Sequence, residues 1–306
     1  MERAMLLARV GTPEEVTEAR RRKTNRLVTK IIIFSILFLY AFFLMSPFYV
    51  IFTTSITSIQ EILGSMRFVW FPESPTFQAY VDIFHDPISE ITGMPIMLIG
   101  FLNTLWMTLL PLIVSLFISG LAAFAYAKLK FKGKEALFMF ELVTMMIPGA
   151  TLTIPTFIFY DNLHWTNTVL PMIIPGMFGG ATTIFFLRSY MMSIPTETVE
   201  AAKIDGLGPL GTYIRIMLPQ TYPAFVAQFI FGFVGGYNSY MGPLLYLQYD
   251  EKRYTLQLAL SEITKMFPDA NQHCAGAILA LIPLIIVFLI FQKLFIEGIS
   301  IGGGKE

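Results

Sequence analysis

Long stretches of this chain contain no aspartate, glutamate, lysine or arginine, among them residues 31–60, 91–127, 216–249 and 270–292. A helix crosses a bilayer with about 20 mainly apolar residues, and each stretch is long enough. A buried soluble helix rarely stays uncharged for so long. The composition agrees, since 55% of the 306 residues are hydrophobic and only 14% are charged. Soluble domains carry about 25% charged residues. Backbone polar groups inside a bilayer must be satisfied within the segment, which favours helices. The expectation is an all-α membrane protein with six transmembrane helices, at about 31–53, 97–127, 137–160, 169–187, 221–246 and 275–292.

Basic residues fix a direction. Lysine and arginine number eight in the arm up to Lys30, four in 128–134, three in 188–215 and two after 292. The alternate segments hold only Arg67, Lys252, Arg253 and Lys265. Positive residues stay in the cytoplasm, so both termini and the 188–215 segment are expected there. The N-terminus lacks the form of a cleaved secretory signal and is expected to be retained. Two outside segments are long. Residues 54–96 carry Pro72, Pro75, Pro87 and Pro95 with five acids, and 247–274 carry four acids and three bases. Each is either a solvated loop or a surface for an external partner.

Several function classes find little support. Ion-coupled carriers place ionisable groups inside their spans, and only Glu141 qualifies. It sits about one turn inside the cytoplasmic edge, where snorkelling is cheap. His85, His164 and His273 are far apart in sequence, so no catalytic or metal constellation is expected. Cys274, the single cysteine, suits a small apolar position. There is no phosphate-binding glycine–lysine loop. The net charge of zero gives no reason to expect nucleic acid.

The spans do carry neutral polar groups: Asn103, Thr104, Thr108, Thr151, Thr153, Tyr160, Thr182, Thr183, Gln228, Tyr237, Asn238, Ser239 and Tyr240. Helix-to-helix hydrogen bonding accounts for many such groups in membrane bundles. A neutral, hydroxyl-rich solute would suit the same lining. The expected solute path is Asn103, Thr151, Thr153, Gln228, Tyr237, Asn238, Ser239 and Tyr240. Gly232, Gly235 and Gly236 leave room beside it. Pro148, Pro155, Pro171, Pro175 and Pro243 predict kinked helices.

The stretch from Glu200 to Pro219 reads as two short helices at a glycine corner. Pro195 suits a first turn and Thr196 a cap. Glu197 and Glu200 favour the positive end of the helix dipole. Asp205-Gly206 is a stop signal, and Gly208-Pro209 starts a second helix that Pro219 ends. On that helix Leu210, Tyr213, Ile214 and Met217 fall on one apolar face. Such a face needs the rest of the bundle or another protein to cover it.

Glu200-Ala201-Ala202, then Gly206, Ile216 and Leu218-Pro219, fit at every position the signature of permease subunits of bacterial ATP-binding-cassette importers. The chain most resembles the second permease of maltose-type carbohydrate importers. Other matches are Phe101-Leu102-Asn103-Thr104-Leu105, Ala122 to Ala127 followed by Phe131 to Lys134, and Met146 to Gly149. Phe185 to Arg188, Tyr237 to Tyr240 followed by Pro243 to Leu245, and the glycine-rich tail Gly298 to Lys305 also fit. Tyr237 stands where tryptophan is common and Ser239 where an acid is common, so no particular substrate carries over.

The resemblance implies a type I importer fold. An arm at 1–30 precedes a permease domain at 31–306, with its core at 97–296 and a coupling loop at 193–219. The ATPase-coupling residues it implies are Glu200, Ala201, Ala202, Asp205, Gly206, Leu210, Tyr213, Ile214, Ile216, Met217, Leu218 and Pro219. The implied partners are a second, related permease, two cytoplasmic ATPase subunits, an extracytoplasmic solute-binding protein, a sugar and the lipid bilayer. ATP and magnesium would be bound by the ATPase, with no cofactor in this chain. The same architecture serves glycerol phosphate, polyamines or peptides in other importers. A secondary carrier and a membrane enzyme are rival classes.

Overall fold

The computed structural model describes residues 13–302, apart from 66–67, 86–87, 90, 248 and 267–268. Arg3, Arg9, Arg67, Pro87, Gly303, Gly304 and Lys305 therefore lie outside the described residues. The described chain is helical and forms no strand, only an isolated bridge between Ile88 and Pro95.

The first helix, α1 (Pro13–Ser55), runs without a break from the basic arm through the first charge-free stretch. Two short helices follow, α2 (Ile59–Ser65) and α3 (Gln78–His85). The long α4 (Ile96–Lys128) is the central helix, in contact with more elements than any other. Next come α5 (Lys134–Thr144) and α6 (Gly149–Asn162), then α7 (Leu170–Met177) and α8 (Ala181–Met192). The Glu200 segment forms α9 (Glu197–Ile204), α10 (Pro209–Thr212), a wide π turn (Tyr213–Met217) and α11 (Leu218–Gln220). The chain ends with α12 (Tyr222–Tyr237), α13 (Met241–Leu247), α14 (Leu256–Met266) and α15 (Ala270–Gly302).

Among the described residues, four helical stretches are long and apolar enough to cross a membrane: Thr24–Ser55, Ile96–Lys128, Leu170–Met192 and Ala270–Lys293. The α5–α6 pair makes a fifth if its 92° bend is taken within one span. The expected third span is thus broken. Pro148 has no N–H to extend a helix and is held in extended conformation, so α6 starts afresh after it. The expected fifth span is also shorter than the charge-free stretch. Helix α12 has 16 residues and stops at Asn238, whose side chain donates to the Val234 carbonyl at 2.9 Å.

Three apolar clusters hold the bundle. One joins α4, α8, α9 and α12 through Phe124, Leu187, Met191, Val199, Tyr213 and Ala224. A second packs α3 and α14 onto α4, α12 and α15, around Ile83, Phe233, Tyr237, Leu256 and Ile263. The third sits at the Ile96 end of α4, with Tyr246, Leu247, Tyr254 and Leu258. Close approach has a local cause at Gly100. A Cβ there would lie 2.8 Å from the Ala259 Cβ and 3.0 Å from the Leu256 Cα, so α14 seats directly on α4. Asn103 fastens the same contact, donating to the carbonyls of Lys252 (2.8 Å) and Tyr254 (3.0 Å).

Candidate functional site

Two places in the fold concentrate features that packing alone does not require. The first is the corner between α9 and α10. Helix α9 ends in a Schellman arrangement, in which the Leu207 N–H donates to the Ala202 carbonyl and the Gly206 N–H to the Lys203 carbonyl. Gly206 takes φ +81°, the left-handed conformation that a side chain disfavours. The Asp205-Gly206 stop is therefore as expected. Thr196 occupies the cap position but its side chain makes no capping bond.

The corner has an inner and an outer side. Inside, Val199, Ala202, Tyr213 and Met217 are buried. Tyr213 is fully enclosed, its ring against Phe117 and Phe124 (centroids 5.8 Å from each) and its hydroxyl donating to the Phe117 carbonyl at 3.3 Å. Burial pushes that hydroxyl's pKa up to about 12, so it stays protonated at physiological pH. Lys128, at the end of α4, donates to the Ile194 carbonyl at 2.5 Å and ties the corner to the bundle. Outside, Glu200, Ala201, Asp205 and Gly206 are exposed. So are three large apolar side chains, Ile204 (87%), Leu210 (57%) and Ile214 (46%).

This corrects the single apolar face expected for Leu210, Tyr213, Ile214 and Met217. Tyr213 and Met217 point into the bundle, whereas Leu210 and Ile214 stay on the open side. The π turn accompanies that split. Pro219 offers no N–H to the Arg215 carbonyl, and its ring would crowd that carbonyl in an α-helix. Widening the turn avoids the conflict, and the Leu218 N–H reaches back five residues to the Tyr213 carbonyl. Pro219 accordingly does not end the helix. The chain continues to Gln220 and turns at Thr221. Ile216 and Leu218 are half-buried. The most exposed apolar residue of the corner, Ile204, was not among the expected coupling residues. Its signal was an isoleucine directly before the Asp-Gly stop, beyond the buried face of Val199 and Ala202.

The second place is a cleft of about 230 Å³ between α4, α7 and α12, lined also by Pro243 of α13 and by Thr255. Its polar lining is Thr104, Thr108, Ser115, Ser239 and Thr255. The Thr104 hydroxyl accepts from the Leu256 N–H at 2.7 Å.

Of the eight residues expected along a solute path, only Ser239 lines this cleft. Asn103 holds the 252–254 turn instead. Tyr237 is buried against α15, donating to the Ala280 carbonyl at 3.0 Å. Tyr240, exposed, shares a hydrogen bond with Ser261 at 3.2 Å. Gln228 is buried within α12, while Thr151 and Thr153 lie on α6. Asn238 is exposed and satisfies its own helix end. Among the described residues, no cluster of histidine, cysteine and carboxylates could hold a metal ion.

A family described as binding-protein-dependent transport system inner membrane component matches residues 115–301. The chain is 31% identical, over 76% of its length and 80% of the relative's, to an arabinooligosaccharides transport system permease protein of Bacillus subtilis. It is 30% identical to a lactose transport system permease protein of Rhizobium radiobacter, covering 90% of this chain and 96% of that one. An sn-glycerol-3-phosphate transport system permease protein of Rhizobium meliloti is 28% identical over 82% of this chain and 89% of the relative. The fold is similar, with a TM-score of 0.73 at 23% identity, to a chain of a bacterial ABC transporter involved in import of the acidic polysaccharide alginate, over 88% of this chain and 96% of that one.

Proposed function

Because the chain belongs to the family of binding-protein-dependent transport system inner membrane components, we propose that it forms half of the pathway of an ATP-driven sugar importer, carrying an oligosaccharide or glycoside. It is a multi-pass membrane protein and a transport component, not an enzyme. The oligosaccharide reading draws on the arabinooligosaccharide and lactose relatives. The glycerol-phosphate relative keeps a second solute class in view.

In this reading the chain crosses the membrane six times with both ends in the cytoplasm. It pairs with a second, related permease. A solute-binding protein delivers the sugar to the outer segments, and two ATPase subunits, which bind ATP and magnesium, dock on the cytoplasmic corner at 193–219. The observation that carries the coupling reading is the two-sided corner. Val199, Tyr213 and Met217 are set in the bundle, while Ile204, Leu210 and Ile214 stand exposed on the same corner. Exposed apolar side chains gain about 25 cal/mol per Å² when a partner covers them. A corner anchored inside and covered outside transmits a partner's movement to α4, α8 and α12. Glu200 would add a charged contact to the same partner.

The test is ATP-driven uptake into vesicles holding the assembled importer. Ile204→Glu and Glu200→Lys should each abolish most uptake while the chain still folds and inserts. Unchanged uptake in both would defeat the coupling reading. Purification of the tagged chain from its native membrane should bring an ATPase, a second permease and a binding protein with it.

A further inference from the structure

After α1 leaves the bilayer, the chain turns back toward it. Lys30 is the last basic residue of the arm, and Tyr49 follows it by 19 residues on the same helix. At 1.5 Å per residue that is about 28 Å, close to the roughly 30 Å hydrocarbon core. Tyr49 thus stands near the boundary opposite the basic arm. Its hydroxyl donates to the Trp70 carbonyl at 2.6 Å. Helical side chains lean toward the N-terminus, so Trp70 is held at about the level of Tyr49. Farther on, the Thr76 N–H donates to the Ile56 carbonyl at 2.7 Å. Ile56 lies seven residues beyond Tyr49, about 10 Å farther from the membrane centre. The chain therefore leaves at Ile56, dips at Trp70 and climbs again at Thr76. Glu61 braces the dip, its carboxylate accepting from the Glu73 N–H at 2.9 Å.

The segment brought down is Phe68-Val69-Trp70-Phe71, without a charge. Its rings gather on Tyr49. Trp70 stacks on the Tyr49 ring with centroids 6.4 Å apart, Phe71 meets it edge-on at 6.5 Å, and Phe68 meets Trp70 edge-on at 5.0 Å. Even so, Trp70 is 63% and Phe71 81% exposed. Apolar surface of this size left in water forgoes the free energy of burial. Something on the page covers it. Tyr49, Met45, Phe42 and Phe38 recur at three- and four-residue spacing along one stripe of α1, and all four are exposed. The most apolar part of that span has no residue buried in the bundle, so the stripe faces lipid. The rings on Tyr49 extend it to the boundary. Indole and phenol rings favour that depth, because the ring body is apolar and its N–H or O–H reaches the headgroups.

We infer that residues 68–71 are a lipid anchor, with Trp70 and Phe71 seated among phospholipids where acyl chains meet headgroups. On the orientation proposed above this is the outer leaflet. The anchor goes beyond the importer reading and takes only that orientation from it. Interfacial aromatic anchors set the depth and tilt of a span, and this one acts on α1 through the Tyr49 bond.

The experiment keeps the chain in its native membrane with its own subunits. The photoreactive residue p-benzoylphenylalanine is placed at Phe71, where exposure leaves room for it, and in a second version at Phe38. After irradiation the tagged chain is purified and weighed by mass spectrometry. The expected result at position 71 is a mass shift of one phospholipid. An adduct to another protein there, whether a binding protein or a second permease, would overturn the anchor and make the segment a protein contact. Loss of any adduct at position 71, with position 38 giving one, would make the segment a solvated loop and also overturn it. The readout involves no transport, so either failure would leave the importer reading standing.

Discussion

At the scale of single residues, Gly206 is the sharpest case of a sequence signal that the backbone honours. An added Cβ would meet nothing within 4 Å, so a substitution there costs only backbone strain. That strain is about 1–2 kcal/mol for an ordinary side chain, and asparagine tolerates the left-handed conformation better. Gly206→Ala should therefore weaken retention of the ATPase on the purified chain, and Gly206→Asn should restore part of it. Equal retention by both variants would mean that the corner does not need this conformation. Gly120 is the opposite case. A Cβ there would strike the Tyr213 hydroxyl and would come within 2.5 Å of the Phe225 ring. Gly120→Ala should lower the thermal midpoint by overpacking, at about 1–3 kcal/mol. The Asp205-Gly206 stop was readable because left-handed backbone has a short list of residues that accept it. The bonds of Tyr237 and Asn103 were not readable, because an aromatic or amide in a span looks alike whether it faces a solute, a neighbouring helix or a turn. Only the fold shows that one bonds the Ala280 carbonyl and the other the Lys252 and Tyr254 carbonyls.

At the scale of elements, α5 shows which contacts hold a short helix to the bundle. The Arg188 guanidinium of α8 lies 4.0 Å from the centre of the Phe138 ring and 3.6 Å from the Glu135 carboxylate. Glu135 is largely exposed, and an ion pair of that kind contributes between nothing and about 1 kcal/mol. The stack and the packed arginine stem contribute more, because Arg188 itself is mostly buried. Glu135→Gln should leave the thermal midpoint of the purified chain nearly unchanged. Arg188→Ala should lower it clearly, and Arg188→Lys should recover little, since an ammonium lacks the flat face that stacks. A larger loss from Glu135→Gln than from Arg188→Ala would reverse this ranking. The charge-free stretches located most of the long helices, because bilayer thickness sets length directly. They did not reveal the split face of 209–217. Helical spacing assumes one regular pitch, and the π turn before Pro219 breaks that assumption, leaving Leu210 and Ile214 apart from Tyr213 and Met217.

At the scale of the molecule, the open matter is whether α5 and α6 cross the bilayer. At 1.5 Å rise per residue, 11 and 14 residues make legs of about 16 and 21 Å. Bent by 92°, the pair reaches about 26 Å from end to end, close to the roughly 30 Å hydrocarbon core. Length alone is compatible with a tilted, broken span or with a re-entrant loop. The basic residues favour the crossing. If the pair returned to the side it came from, the Leu170–Met192 span would carry Arg188, Lys203 and Arg215 to the face opposite Lys128, Lys130, Lys132 and Lys134. Juxtamembrane lysine and arginine favour one face, so a crossing keeps all seven together. The prediction is a labelling pattern. In a Cys274→Ser background, a cysteine at His164 should react with a membrane-impermeant thiol reagent added to intact cells. Cysteines at Lys132 and Lys203 should react only after the membrane is opened. Labelling of Lys203→Cys in intact cells would make the pair re-entrant. It would also place the α9–α10 corner on the wrong side for any cytoplasmic ATPase, so the same measurement bears on the coupling surface and on the count of spans.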